Sequence, residues 1–373
     1  MAKLKLGVIF GGMSTEHDVS IVSGTSVIKN LNKEKYDIYA IYINKKGQWY
    51  EYAQSIEDIE VLKVGDTLTE INPITNIAEY LKNIDIVFPV LHGLYGEDGT
   101  IQGLLELLQI PYVGCNVLSS SVCMDKVYAK MIFEKAGIPQ AKFIYIKATQ
   151  NKEVTNKELS CENIENNMHT FEYINEKFES HEVTIQEIAE IIENTIHFPV
   201  FVKPSNSGSS VGVHKATDVQ ELETALFDAS KYDTKILLEE EIIGREVECA
   251  VLGNNQIQAS TVGEVLSAEV FYTFDAKYKN SESRTVIPAE IGEKKKKEIQ
   301  NLAIKAFKAV DGKGLSRVDF FIRKGNNEVC INEINTMPGF TQISMYPKLW
   351  EACGISYKEL LDRLIELAYN SQL

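Results

Sequence analysis

The chain has 373 residues, 44% of them hydrophobic and 24% charged, the composition of a globular protein of two or three domains rather than a disordered or low-complexity one. With 38 Lys and Arg against 53 Asp and Glu the net charge is -15, which argues against a general nucleic-acid binder or a partner of anionic membranes. An anionic ligand would need positive charge gathered locally, or a metal.

The opening MAKLKLGVIFGG has no long apolar core and no small-residue cleavage site, so it reads as a first strand and not a signal peptide. No run reaches the roughly 18 apolar residues of a membrane helix. Leu4–Phe10 predicts a buried parallel strand closed by Gly11-Gly12, followed by a helix over Val19–Leu31 and a strand over Ile38–Ile43. Ile84–Val90 predicts another buried strand, then a Gly-rich loop and a helix over Ile101–Leu108. Strand–helix alternation of this kind predicts a doubly wound parallel sheet for residues 1–122.

A second domain is expected over 123–242. Met124–Ala136 is helical and stops at Gly137 and Pro139, and Phe143–Ile146 is a strand. Residues 150–183 are rich in Asn, Glu and Lys and are expected to be a surface insertion, mobile or only partly helical. Thr184–Glu187 and Thr217–Gln220 both carry the capping-box pattern of a helix start. Between them a strand at Pro199–Val202 leads into the Gly/Ser loop Pro204–Gly212, and Lys235–Glu239 is a strand ending in an acidic elbow.

The third domain is expected over 243–373, with strands at Glu246–Leu252, Ile257–Ala259 and Thr261–Val265. A long aperiodic loop, 269–287, reads as a functional lid. A charged helix over Glu293–Val310 precedes a hairpin of Leu315–Ile322 and Glu328–Ile334, and a final helix opens at Ser356–Glu359. Six scattered cysteines without a CxxC pair read as reduced thiols of a cytoplasmic protein, and the histidines show no zinc spacing.

The hairpin carries the strongest chemical signal. Residues i and i+2 of a strand share a face, so Arg317 with Asp319, and Glu333 with Asn335, converge on one side of the sheet. Oxygen donors of this kind suit Mg²⁺, which keeps water and phosphate oxygens in its shell. The plain alternative, an exposed cross-strand ion pair, is less favoured because the next turn, Thr-Met-Pro-Gly-Phe-Thr, brings backbone N–H groups beside the cluster. Lys203 at a strand end, followed by Gly208, Ser209, Ser210 and Gly212, offers a cation and bare N–H donors to phosphate. The loop from His92 to Gly103 would sit at the carboxyl end of a parallel strand, although Glu97-Asp98 could simply favour the next helix N-terminus. Gly11–Asp18 lacks the GxGxxG dinucleotide pattern, which disfavours a dehydrogenase; Glu16 is either a first-turn acid or the receiver of a substrate ammonium.

Taken in order, GGxSxEHxVS, HGxxGEDGxxQG, MDK, VKPxxxGSSVG, FDAKY, RVDFF and NEINTMPGFT span nearly the whole chain and resemble the D-alanine–D-alanine ligase family of the ATP-grasp superfamily. The resemblance implies an α/β Rossmann-like N-terminal domain plus two α+β ATP-grasp lobes. It implies two Mg²⁺, or Mn²⁺, held by Asp319, Glu333 and Asn335, and ATP and D-alanine as substrates. It further implies Lys126, Lys203 and Lys277 on the nucleotide phosphates, Glu239, Glu241 and Ile242 at adenine, and Glu246 at the ribose. Glu16, Ser209 and Tyr278 would form a triad closing the lid over the first D-alanine. Arg317 and the Gly339 N–H would form the oxyanion hole, Ser344 and Met345 would hold the second carboxylate, and His92 would lie near the substrates. Tyr278 and Met345 favour D-alanine over the D-serine or D-lactate of sister ligases. A non-catalytic ATP-binding module should have lost a metal ligand or the arginine, and Asp319, Glu333, Asn335 and Arg317 are all present. The family commonly forms homodimers.

Overall fold

The structure, a computed structural model, describes residues 3–52, 59–66, 68, 71–149, 170–266 and 284–370. The chain divides into two compact units, one of Met1–Gln140 with Gly244–Leu373 and the other of Ala141–Ile243.

The first unit begins with a sheet of β1 (Leu4–Gly11), β2 (Tyr36–Ile43), β3 (Trp49–Tyr52), β4 (Ile71–Pro73) and β5 (Ile86–Val90), ordered β4-β3-β2-β1-β5. β1 pairs in parallel with β2 and β5, while β3 and β4 add antiparallel. Leu6, Val8, Ile9 and Phe10 are all fully buried, which is why β1 reads as one apolar run. β3 and β4 escape the sequence reading: only Tyr52 of β3 is buried, so the strand shows no alternation. Helices α1 (His17–Asn30), α2 (Ile77–Leu81), α3 (Thr100–Leu107), α4 (Val117–Met124) and α5 (Lys126–Lys135) follow. Asp125 separates α4 from α5 and caps the latter, its carboxylate accepting the Val127 and Tyr128 N–H groups at 3.1 Å.

The second unit is a six-stranded antiparallel sheet of β6 (Phe143–Thr149), β7 (Thr170–Ile174), β8 (Ser180–Val183), β9 (Val200–Pro204), β10 (His214–Ala216) and β11 (Lys235–Glu240), ordered β10-β9-β11-β6-β7-β8. It packs on α6 (Ile185–Thr195) and α7 (Val219–Ala229) through Ile146, Val202, Ile188, Ile192 and Leu226. The α6 capping box forms as expected, with Thr184 and Glu187 bonded reciprocally. The α7 start differs: Asp218, not Thr217, is the cap.

The stretch 150–183 is corrected in part. Residues 150–169 lie outside the described residues, but 170–183 belong to the sheet as the β7–β8 hairpin. Its polar composition hides this because the hairpin is an edge, where only Phe171, Ile174 and Val183 are buried. Phe171 is 2% exposed and enters the core of this unit. Phe171→Ala is therefore expected to cost about 3–5 kcal/mol, read as a lower urea midpoint; a neutral effect would remove the hairpin from the core.

The first unit resumes with an antiparallel sheet of β12 (Gly244–Leu252), β13 (Gln258–Leu266), β14 (Arg284–Val286), β15 (Leu315–Arg323) and β16 (Val329–Asn335), ordered β14-β13-β12-β15-β16. The two short strands expected at 257–265 are one strand, β13, with the pairing irregularity in its partner between Cys249 and Val251. Helices α8 (Glu293–Ala309), α9 (Met345–Glu351) and α10 (Tyr357–Asn370) complete it. One core joins both sheets, from Leu6, Phe10 and Phe88 to Leu315, Phe340, Tyr346, Leu360 and Leu364. Residues 123–140, grouped by sequence with the middle domain, lie in this unit, where Cys123, Ala129 and Phe133 pack with Val247 and Phe320. The lid expected over 269–287 falls largely outside the described residues, which resume at Arg284. Among the described residues, no helix is long and apolar enough to cross a membrane, and five cysteines are free, four of them buried.

Candidate active site

The direction of strand connection switches between β1 and β5, so the loops after these strands open at one carboxyl edge, the usual ligand position in such sheets. Small side chains tie the two loops together. Ser20 Oγ donates to the Val90 carbonyl at 2.5 Å and accepts the Gly11 N–H at 2.8 Å. Ser14 Oγ donates to the His92 carbonyl at 2.6 Å and accepts the Glu16 N–H at 3.1 Å. Glu16 thereby stands at the N-terminal end of α1 with its carboxylate against the other loop. A Cβ built on Gly93, whose φ is +71°, would come 2.7 Å from Glu16 Oε2, so a side chain there would displace the carboxylate.

The hairpin places its charges as the two-residue period requires. Arg317 stands opposite Asn335 and Asp319 opposite Glu333. The guanidinium donates through Nε and one Nη to the two oxygens of Asp319, both at 2.7 Å, and Nε lies 2.9 Å from Glu248 Oε2 on β12. Asn335 Nδ2 donates to Asp319 Oδ2 at 3.1 Å. Burial disfavours the Arg317 charge, but Asp319 and Glu248 outweigh it and raise its pKa well above the usual value, so a fixed cation sits on this face.

The turn after β16 joins this face to the carboxyl-edge loops. The Met337 N–H donates to Glu97 Oε1 at 3.1 Å, and the Gly93 N–H donates to Glu97 Oε2 at 3.3 Å. His92 is 5% exposed, and its Nδ1 donates to the Met337 carbonyl at 3.0 Å while Nε2 lies 3.0 Å from Ser23 Oγ. Ser23 Oγ also accepts the Phe340 N–H at 3.3 Å. Burial lowers the His92 pKa, against the opposing pull of Glu16, so the ring is neutral. Burial and then the Glu16 charge push the Glu97 carboxyl from 4.5 up to about 8. A Cβ on Gly339 would lie 2.8 Å from Ser344 Oγ, which bonds to Thr341 Oγ1 at 2.7 Å and accepts the Thr341 N–H at 3.0 Å. Ser344 precedes α9, so the Met345 N–H belongs to that helix's first turn.

These shifts predict a pH dependence. Folding holds the Glu97 proton more tightly than the unfolded chain does, so its stabilisation is complete below 4.5 and is lost as pH rises through about 8. His92 acts in the opposite sense at lower pH. Melting temperature should therefore fall more steeply between pH 5 and 8 in the native chain than in Glu97→Gln, and parallel curves would contradict this environment for Glu97.

In the second unit, Lys203 Nζ lies 2.5 Å from Glu239 Oε2, which is buried, and Lys215 Nζ donates to Glu241 Oε1 at 2.6 Å. Ile242 follows on the same elbow. The loop after β9 holds Ser209 and Ser210 at φ +50° and +59°, consecutive strained residues of the sort that cluster at ligand-gripping loops.

The first unit thus brings together Glu16, His92, Arg317, Asp319, Asn335, Gly339 and Ser344, and also holds Lys126, Glu246, Glu333 and Met345. Lys203, Ser209, Glu239, Glu241 and Ile242 lie in the second. Lys277 and Tyr278 lie outside the described residues. Ser23 and Glu248 carry no signal in the sequence, where Glu97 stands in a loop that reads either as part of a ligand site or, with Asp98, as acid before a helix. The structure gives that task to Asp98, which accepts the Thr100 N–H at 2.9 Å, and turns Glu97 onto Met337. The spacing of Glu97 from His92 within one loop is the signal that could have found it.

Two carboxylates and an amide on adjacent strands form a hard-oxygen donor set that fits a divalent cation. Among the described residues no three His, Cys, Asp or Glu side chains form a cage of their own. The set therefore fits a cation that completes its shell with phosphate and water oxygens.

The sequence matches the family described as D-ala D-ala ligase N-terminus over residues 5–115 and D-ala D-ala ligase C-terminus over 166–366. It is 48% identical to the D-alanine–D-alanine ligase of Acetivibrio thermocellus, covering 100% of this chain and 98% of that protein. It is 47% identical to that of Clostridium acetobutylicum, covering 98% of each. Among solved structures it resembles the D-alanine-D-alanine ligase from Coxiella burnetii (TM-score 0.75, 33% identity, 100% of this chain and 95% of that one). It also resembles the VanG D-Ala:D-Ser ligase from Enterococcus faecalis (TM-score 0.79, 35% identity, 98% and 100%).

Proposed function

The chain belongs to the D-alanine–D-alanine ligase family, of ATP-grasp fold, and from that premise we propose how its own residues perform the ATP-dependent joining of two D-alanines. The relatives at 44–48% identity carry the D-alanine–D-alanine ligase name, so D-serine or D-lactate as second substrate is not favoured.

A carboxylate does not acylate an amine until it is activated. The carboxylate of the first D-alanine takes the γ-phosphoryl group of ATP, ADP leaves, and an acyl phosphate forms. The amine of the second D-alanine attacks the acyl carbon, the tetrahedral centre collapses, and phosphate departs. Phosphoryl transfer of this kind is catalysed by positioning and charge neutralisation.

Glu16, fixed by Ser14 and accommodated by Gly93, receives the first ammonium. Ser209 and Tyr278 complete its triad in this reading. Arg317, held by Asp319 and Glu248, and the Gly339 N–H stabilise the oxygen of the tetrahedral centre; one such donor is worth roughly 3 kcal/mol. Ser344 Oγ and the Met345 N–H receive the second carboxylate. Lys126, Lys203 and Lys277 contact phosphates, Glu239, Glu241 and Ile242 meet adenine, and Glu246 meets the ribose. Asp319, Glu333 and Asn335 would hold Mg²⁺, two ions in this reading, with Mn²⁺ as a substitute; the metal neutralises phosphate charge when bound. The functional division is 1–122 for the first substrate, 141–243 together with Lys126, Glu246 and Lys277 for the nucleotide, and 244–373 for the metal, the oxyanion and the second substrate, in a cytoplasmic homodimer.

The observation that carries this reading is the Arg317 fork on Asp319, on the sheet face whose following turn is bonded to the loop beside Glu16. Phosphate release from ATP, compared with D-alanine, L-alanine, D-serine and D-lactate, tests it. Release with D-alanine and a dipeptide product is expected; release only with another acceptor would replace D-alanine as the second substrate.

A further inference from the structure

The turn that carries Gly339 is gripped at both ends, by the loop after β5 and by helix α1. At Met337 its N–H meets Glu97 and its carbonyl meets His92 Nδ1. At Phe340 its N–H meets Ser23. With His92 neutral and Nδ1 carrying the proton, Nε2 is an acceptor, so the Ser23 hydroxyl donates to it while accepting from Phe340. The bonds form a circuit from the Phe340 N–H through Ser23 and His92 to the Met337 carbonyl. Glu97 adds a second link by also accepting the Gly93 N–H, the residue against which Glu16 packs.

We propose that Glu97, with Ser23 and His92, is a positioning residue that sets the Met337–Phe340 turn so that the Gly339 N–H and Arg317 face the same oxygen. The proposal rests on the ligase reading above and assigns to His92 the fixing of a loop, since both ring nitrogens are committed to bonds within the protein. Pro338 and Gly339 lie between the two gripped residues and contribute no side-chain hydrogen bonds of their own, so the turn's placement is set from outside it. Phe340 is held further by its edge-on packing on Phe88, with ring centroids 5.5 Å apart, and by Tyr357, whose hydroxyl donates to its carbonyl at 2.6 Å. At the other end the Met337 side chain is buried in the same core, and its backbone N–H and carbonyl are held by Glu97 and His92.

A misplacement of about 1 Å in such a donor costs on the order of 100-fold in rate. The full chain is assayed with ATP, D-alanine and Mg²⁺ as native protein and as Glu97→Ala, Glu97→Gln and Ser23→Ala. Glu97→Ala is expected to lower kcat about 100-fold with the KM for ATP within twofold, because the nucleotide contacts are elsewhere. Glu97→Gln keeps an oxygen for the Met337 N–H and should recover at least tenfold of that loss. Ser23→Ala, acting from the other end of the turn, should lower kcat with the same unchanged KM for ATP. A phosphinate dipeptide, whose tetrahedral phosphorus imitates the reacting carbon, should bind the Ala variants more weakly in parallel with kcat. Equal loss in the Gln and Ala variants, or a kcat within threefold of native in Glu97→Ala, overturns the proposal. If Glu97→Ala does not fold, the Gln and Ser23 variants decide by the same criteria. A native chain that releases no phosphate with D-alanine overturns the ligase reading and this proposal together, whereas an active native chain with indifferent variants overturns the proposal alone.

Discussion

Arg317→Lys should reduce kcat by 100- to 1,000-fold, the usual cost of losing one oxyanion donor, about 3–4 kcal/mol, while leaving a folded protein. The guanidinium reaches both oxygens of Asp319 and one of Glu248 with a planar fork, and a lysine ammonium offers a single point charge that cannot satisfy all three. Arg317→Met makes the complementary case. It leaves Asp319 and Glu248, both nearly fully buried, as uncompensated carboxylates, and breaking such a group from one side costs about 3–5 kcal/mol of stability. Lysine should thus separate catalysis from folding, and methionine should lose both. If the lysine variant turns over normally, Arg317 is an architectural brace and the oxyanion assignment fails.

Glu333→Gln should lower metal-dependent turnover about 1,000-fold with little change in melting temperature. Glu333 is only partly buried, so the isosteric amide is tolerated by the hairpin, but it removes one of the two carboxylates proposed to hold the metal. A bound cation supplies several kcal/mol of charge stabilisation; a loss of about 4 kcal/mol corresponds to roughly 1,000-fold in rate. Raising the Mg²⁺ concentration should restore part of the activity, because the defect is in affinity and charge rather than in the protein's shape. Loss of activity that no Mg²⁺ concentration relieves, together with a lower melting temperature, would place Glu333 in the framework instead.

The hairpin was legible because strand periodicity is local: once Leu315–Ile322 and Glu328–Ile334 are strands, Arg317, Asp319, Glu333 and Asn335 must share a face. Lys203 at the end of β9 was legible for the same reason. Glu97 was not, since a carboxylate between Gly93 and Met337 looks, in one dimension, like any acid before a helix; its partner is 240 residues away. Ser23 is equally silent, a hydroxyl within α1 whose partners come from two other loops. β7 and β8 were hidden by their polar edge position, and the placement of 123–140 by the packing of Phe133 against strands more than a hundred residues later.

Ala141–Ile243 is continuous in the chain, whereas the other unit is assembled from segments on both sides of it. A ribosome delivers chains N-terminus first. The inserted unit therefore has all its strands while its host still lacks β12 to β16 and α10. The host's core waits for Leu360, Leu361 and Leu364 of α10 to reach β1 and β5, so it closes only after α10 has been made. A nascent chain arrested before Tyr357 should resist protease in its middle third and be digested in its first.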